Sequence, residues 1–297
     1  MSHRRDFLKQ SASLVMGGLA FSYSDQLFAK PMHSVGIQLY TLMSVIDKDV
    51  EGTLKQVAAL GYKDLESAFS MKGGFYGLSA KEFAALAKKL GLAWRSHHAM
   101  GAPLKPNPNF DITKLPKFDT LKNDTQKIVD SVAEGGISYL VCANIPIDTE
   151  DEVKEAVDIL SKAGEAAKKA GLTFVYHNHD KEFAQVNGKR PYDVFLSQIS
   201  PDLMKMELDL AWVTKAGVDP VELFKKHPGR FPLWHAKDFD KEFKTLLPVG
   251  QGVVDFKKIF AAAQTAGMKY FFVEHDMAPQ PFESIKASMD NLKKLLA

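Results

Sequence analysis

A single (β/α)₈ barrel is predicted by three features of the sequence. After residue 34, short apolar runs alternate with longer amphipathic ones to the end of the chain, the rhythm of a parallel sheet joined by helical crossovers. Eight apolar runs can be marked, which favours a closed barrel over an open, doubly wound sheet. No Gly-x-Gly-x-x-Gly follows the first run, and Gly250-Gln251-Gly252 is too short and too late to cradle a dinucleotide phosphate. A chain of 297 residues with 45% hydrophobic content can bury a core of that size.

The elements follow in order. His3-Arg4-Arg5-Asp6-Phe7-Leu8-Lys9 precedes a modestly apolar stretch, Ala12 to Phe21, and then polar residues. The stretch is too short to span a bilayer as a stable helix, and its basic flank suits a cleavable leader. The segment resembles a twin-arginine export signal cut after Ala29. Residues 1–29 are therefore expected to be a signal and 30–297 the barrel. Export by that machinery carries folded, loaded proteins, so a periplasmic location is expected, with no stable membrane insertion after processing.

The expected strands are Val35 to Leu42, Tyr62 to Phe69, Leu92 to Met100, Tyr139 to Ile145, Leu172 to His177, Lys205 to Leu210, Leu233 to Lys237 and Tyr270 to Glu274. Between them lie helical patterns such as Ser79 to Leu90, Glu150 to Ala170 and Phe256 to Ala266, ending at Gly91, Gly171 and Gly267 as C-caps. Gly101 to Phe118, rich in Pro, Asn and Lys, breaks the rhythm after strand 3. A connection of that length is expected to be a lid over the barrel mouth. The single cysteine, Cys142, excludes a disulfide framework or a multi-cysteine zinc site, and its apolar surroundings mark it as core. The formal charge of +2 is spread along the chain without a basic stripe, which argues against nucleic acid as a partner.

Polar residues fall at the carboxyl ends of the apolar runs, where a barrel keeps its chemistry. Strand 5 delivers His177, Asn178 and His179; strand 6 delivers Asp209, strand 7 His235 and strand 8 Glu274. Several carboxylates gathered there need a counter-charge, and a divalent cation is the simplest one. Two imidazoles with two carboxylates suit Mn²⁺, Co²⁺, Zn²⁺ or Fe²⁺ better than Ca²⁺. His179 is expected to bind a substrate hydroxyl or move a proton. Glu66 on strand 2 and His98 on strand 3 point towards the same mouth. Neighbouring strand residues face opposite sides, so only one of His97 and His98 looks inward, and His98 is preferred. Lys237 is read either as a binder of a substrate oxyanion or as a rim ion pair with Asp238 or Glu274. Trp212, Phe239 and Tyr40 are candidate walls for a sugar ring, a role that core packing explains equally well.

Tyr176-His-Asn-His-Asp-Lys-Glu-Phe, Glu207-Leu-Asp-Leu-Ala-Trp-Val, Gly229-Arg-Phe-Pro-Leu-Trp-His-Ala-Lys-Asp, Val249-Gly-Gln-Gly-Val-Val-Asp-Phe and Phe272-Val-Glu-His-Asp, taken as an ordered set, resemble the xylose isomerase-like TIM-barrel superfamily. Within it they are most similar to the sugar phosphate isomerase/epimerase branch. The resemblance implies one divalent metal on the ends of strands 5 to 8, commonly Glu, Asp, His and Glu. Here these fall on His177, Asp209, His235 and Glu274, so an imidazole stands where many relatives have the first glutamate. It further implies a carbohydrate substrate and proton abstraction next to a carbonyl through a metal-stabilised enediolate, with Glu274, His177 and His179 as the catalytic groups. The substrate contacts would be Glu66, His98, Lys237 and Trp212.

Relatives with histidine at the first ligand position, such as inosose dehydratases, carry out β-elimination. A lyase outcome of the 3-keto-glycoside kind is therefore the alternative, and a non-catalytic periplasmic carbohydrate-binding barrel is another. Export and the lack of an Arg-rich clamp favour an unphosphorylated sugar.

Overall fold

A computed structural model describes residues 34–106 and 115–296. The expected signal and its cut site, and residues 107–114 of the expected lid, lie outside the described residues. Strands β1 (Val35–Gln38), β2 (Asp64–Ser67), β3 (Ala93–Met100), β4 (Tyr139–Asn144), β5 (Thr173–His177), β6 (Lys205–Asp209), β7 (Leu233–Ala236) and β10 (Tyr270–Val273) close into a barrel. Its order is β1-β10-β7-β6-β5-β4-β3-β2, and every neighbouring pair is parallel. Two short strands, β8 (Asp238–Phe239) and β9 (Leu246–Leu247), form an antiparallel ribbon beyond β7 that the sequence did not suggest.

The helices carry their own start and stop signals. Ser79 and Glu82 form a reciprocal capping box at the head of Ala80–Lys89. Thr149 caps Glu150–Lys169, whose first turn is acidic and last turn basic, and Val153, Ala156, Leu160, Ala163 and Ala167 lay one apolar stripe against the barrel. The pattern expected as one helix over Phe256 to Ala266 is two pieces, Phe256–Ala261 and Ala263–Ala266. The first expected strand also ends early. The Gln38 side chain accepts the Tyr40 amide at 3.0 Å and turns the chain into a 3₁₀ segment, Leu39–Leu42.

Inside the barrel the inward residues are layered. Val141, Val175, Leu233 and Phe272 form an apolar plug. Gly36 is required beside it, because a Cβ there would overlap the Phe272 ring. Two residues further along several of the same strands the lining becomes ionic: His177 follows Val175, His235 follows Leu233 and Glu274 follows Phe272. Strand periodicity thus carries the polar set to the carboxyl end as one group.

Candidate active site

His177, Asp209, His235 and Glu274 are all buried, and each offers one ligand atom within 4.8 Å of the other three. Asp209 ends β6 and caps the helix Leu210–Lys215. Its Oδ1 accepts the Ala211 and Trp212 amides, both at 2.9 Å, which leaves Oδ2 turned to the centre. His235 Nδ1 lies 2.8 Å from Glu274 Oε2 and 3.9 Å from Asp209 Oδ2. Asp209 Oδ2, His235 Nδ1, Glu274 Oε2 and His177 Nδ1 are buried without a well-formed hydrogen bond; the first three meet only one another and Lys237. Buried polar atoms held by charged contacts alone are costly, and four on the residues of one cluster mark a place built for something that binds them together. Two nitrogen and two carboxylate donors at that spacing fit a first-row divalent cation.

A second ionic layer lies beneath. Glu66 is fully buried; it accepts Gln38 Nε2 at 2.8 Å, the Ser96 hydroxyl, and His235 Nε2 at 2.5 Å. His98 sits between two carboxylates, 2.6 Å from Glu207 Oε2 and 3.2 Å from Glu66 Oε1. Glu207 also approaches His235 Nε2 at 3.3 Å and His177 Nδ1 at 3.5 Å. Burial alone would raise the Glu66 carboxyl, but His98 and His235 hold it well below the carboxylate range. Burial opposes protonation of His98, yet Glu66 and Glu207 lift it to about 9. Burial and the nearby Glu66 charge push Glu207 up to about 7. Burial and His235 keep the His177 ring neutral.

Above the cluster, the buried Lys237 Nζ lies 2.7 Å from Glu274 Oε2 and 3.2 Å from Asp209 Oδ2, and it donates to both oxygens of Asp276 at 2.9 and 3.0 Å. Asp238, one expected partner of Lys237, faces the other way. It accepts four backbone amides, from Phe239, Gly250, Gly252 and Val254. The cavity over the cluster measures about 220 Å³; Tyr40, Phe69, His98, His177, His179, Lys237, Glu274 and Asp276 line it together with Ala68, Met100, Ala143 and Asn144.

Two expectations need correction. Glu66, expected to meet substrate, is sealed a layer below, and its oxygens are engaged by Gln38, Ser96 and His235. Trp212 does not line the cavity. It packs on Phe239 at 4.9 Å and near His179 at 5.9 Å, with Lys215 over its face at 4.6 Å. His98 faces inward as expected, while His97 bonds Ser67 and packs edge-on to Phe75. Glu207 and Asp276 were missed as site residues, although each lies two residues from a predicted ligand.

A parallel barrel whose strand tips gather imidazoles and carboxylates under a polar cavity belongs to the α/β barrel class that hosts enzymes. The Xylose isomerase-like TIM barrel profile matches residues 54–295, and the chain is a member of that family. It is 28% identical over 171 residues to an inosose dehydratase from Lacticaseibacillus casei, a match covering 50% of this chain and 57% of that protein. The chain thus aligns with little more than half the length of the curated relatives it matches. A sugar phosphate isomerase/epimerase from Parabacteroides distasonis superposes with a TM-score of 0.74 at 28% identity, over 91% of this chain and 97% of that one. The barrel is also shared with the IOLI protein crystallised with a bound zinc atom, with a TM-score of 0.66 at 15% identity over 89% and 98% of the two chains.

Proposed function

We propose that the protein is a divalent-metal-dependent enzyme that removes the proton next to a carbonyl of a sugar or keto-sugar. The observation that carries this reading is the convergence of four buried ligand atoms, on His177, Asp209, His235 and Glu274, beneath a polar cavity. A cation held there supplies Lewis acidity to a carbonyl oxygen, lowering the pKa of the adjacent carbon. Mn²⁺, Co²⁺, Zn²⁺ and Fe²⁺ fit the donor set, and the zinc in the IOLI protein is consistent with it.

The chain's own residues supply the rest. Glu274, ionised between Lys237 and His235, is a base at the cavity floor. His179, on the cavity wall beside the ligand His177, is the imidazole able to take or return a proton. Lys237, fixed by Asp276, presents an ammonium where negative charge accumulates on the substrate oxygen. Return of the proton gives an isomer or epimer. Departure of a β-substituent instead gives elimination, the reading favoured by the inosose dehydratase relatives and by an imidazole at position 177. The cavity lining contains one lysine and no arginine, which suits an unphosphorylated sugar. Such a substrate accords with export to the periplasm, which we propose on the strength of the N-terminal RRDFLK stretch.

The test is solvent exchange. Metal-free protein reloaded with Mn²⁺, Co²⁺ or Zn²⁺ is incubated in D₂O with keto-sugars and 3-keto-glycosides, and loss of the α-proton signal is followed by ¹H NMR. Exchange is expected in the loaded protein only, and Glu274→Gln should abolish it. Exchange that survives chelation, or its absence across the panel with metal bound, overturns the proposal; in the latter case a carbohydrate-binding barrel is the remaining reading.

A further inference from the structure

We infer that Glu66 is a positioning residue that fixes the tautomer and orientation of His235, so that Nδ1 is offered to the cation; the inference rests on the metal reading above. The geometry is one-directional. Glu66 collects donors on both carboxylate oxygens, Gln38 Nε2 at 2.8 Å and His235 Nε2 at 2.5 Å on Oε1, and the Ser96 hydroxyl on Oε2. A carboxylate so used only accepts, so the proton it shares with His235 sits on Nε2, and Nδ1, which faces Glu274 Oε2 when no cation is bound, is the nitrogen that a cation can take. That Nδ1 is buried and lies 2.8 Å from Glu274 Oε2 and 3.9 Å from Asp209 Oδ2, the two carboxylate atoms of the cluster. An outer carboxylate that orients a ligating imidazole commonly changes metal affinity by about 10–100-fold when removed.

The alternative occupant of this layer is a second cation, because His98, His177, Glu207 and His235 also lie within ligand spacing. The hydrogen bonding speaks against it. His98 Nε2 is already 2.6 Å from Glu207 Oε2, and His235 Nε2 is held by Glu66. Both atoms that a second ion would need carry or share protons.

Glu66→Gln keeps an acceptor oxygen of the same shape, whereas Glu66→Leu removes it. The two variants are compared with the wild-type chain by equilibrium dialysis with Zn²⁺ and Co²⁺, and by ¹H–¹⁵N NMR of the metal-free proteins. One equivalent of cation is expected in the wild type. Affinity should fall by about 10–100-fold in Glu66→Leu and by less than about 5-fold in Glu66→Gln. A downfield, exchange-protected imidazole proton on His235 Nε2 should be present in the wild type and Glu66→Gln and lost in Glu66→Leu. The inference is overturned if Glu66→Leu binds as the wild type does, if both variants lose affinity equally, or if two equivalents bind. It is overturned equally if metal-free wild type lacks the Nε2 proton, a result that needs no variant to fold. Should the wild type bind no cation yet show that proton, the metal reading fails while the Glu66–His235 arrangement stands.

Discussion

Replacing Asp238 with alanine should destabilise the protein by about 4 kcal/mol. The carboxylate accepts the Phe239 and Val254 amides at 3.0 and 3.1 Å on Oδ1, and the Gly250 and Gly252 amides at 2.9 and 2.8 Å on Oδ2, with the whole residue buried. Each lost bond costs roughly 1 kcal/mol net, and bonds to a charged acceptor cost up to about 3 kcal/mol. Burial raises the Asp238 carboxyl despite those four bonds, so relief of its desolvation offsets part of the loss and keeps the total near the lower figure. For a domain of this size, ~4 kcal/mol corresponds to a fall in Tm of roughly 10 °C. Urea unfolding with a shared m-value measures the difference. Asp238→Asn should fall between, since one amide oxygen still serves two donors while its NH₂ confronts the other two. Gly252→Ala tests the same pocket from outside, because a Cβ there would overlap the Phe239 carbonyl and the Asp238 carboxylate; its cost should not add to that of Asp238→Ala. A change below about 1 kcal/mol for Asp238→Ala would refute the reasoning.

Other outcomes follow from the same structure. Burial pushes the Cys142 thiol far up, so native protein should resist thiol reagents at pH 8 and react only after denaturation; rapid labelling of the folded chain contradicts this. In the metal-free protein His98 holds its proton to about pH 9, against 6.5 when unpaired. Its stabilising effect is therefore complete below pH 6.5 and lost as pH rises through 9, at no more than about 1.4 kcal/mol per unit. The stability gap between wild type and His98→Gln should close between pH 6 and 10, and a constant gap in urea midpoints excludes the effect. Gly36→Ala should cost about 1–3 kcal/mol through overlap with Phe272 in the apolar plug, read as a lowered urea midpoint at constant m-value.

The barrel was legible because eight apolar runs repeat at barrel spacing, and their ends were blurred only where side chains intervene. Gln38 ends β1 by capping the next turn, an event that hydrophobicity does not encode. The positions of His177, Asp209, His235 and Glu274 were legible because an ionisable residue closing an apolar run is conspicuous. Glu207 was not, since it sits inside such a run; the period of two that joins it to Asp209 is the signal that would have exposed it. The same parity joins Asp276 to Glu274. Glu66 could be placed on the correct strand face but not at its depth, because depth depends on how neighbouring strands are staggered. Gln38 pairs with Glu66, and Glu66 with Ser96, across a register shift in β2–β3.

The contact between Lys237 and Asp276 has a mechanical meaning. Lys237 follows β7 and Asp276 follows β10, neighbours in the barrel, so a doubly hydrogen-bonded ion pair rivets the tips of two adjacent strands. Parting them would leave the buried ammonium to Asp209 and Glu274 alone and give up two of its charge-assisted hydrogen bonds. That part of the rim is therefore stiff, whereas across the barrel from β7 the loop after β3 is held by an apolar contact instead, Phe118 edge-to-face on Phe69 from the loop after β2.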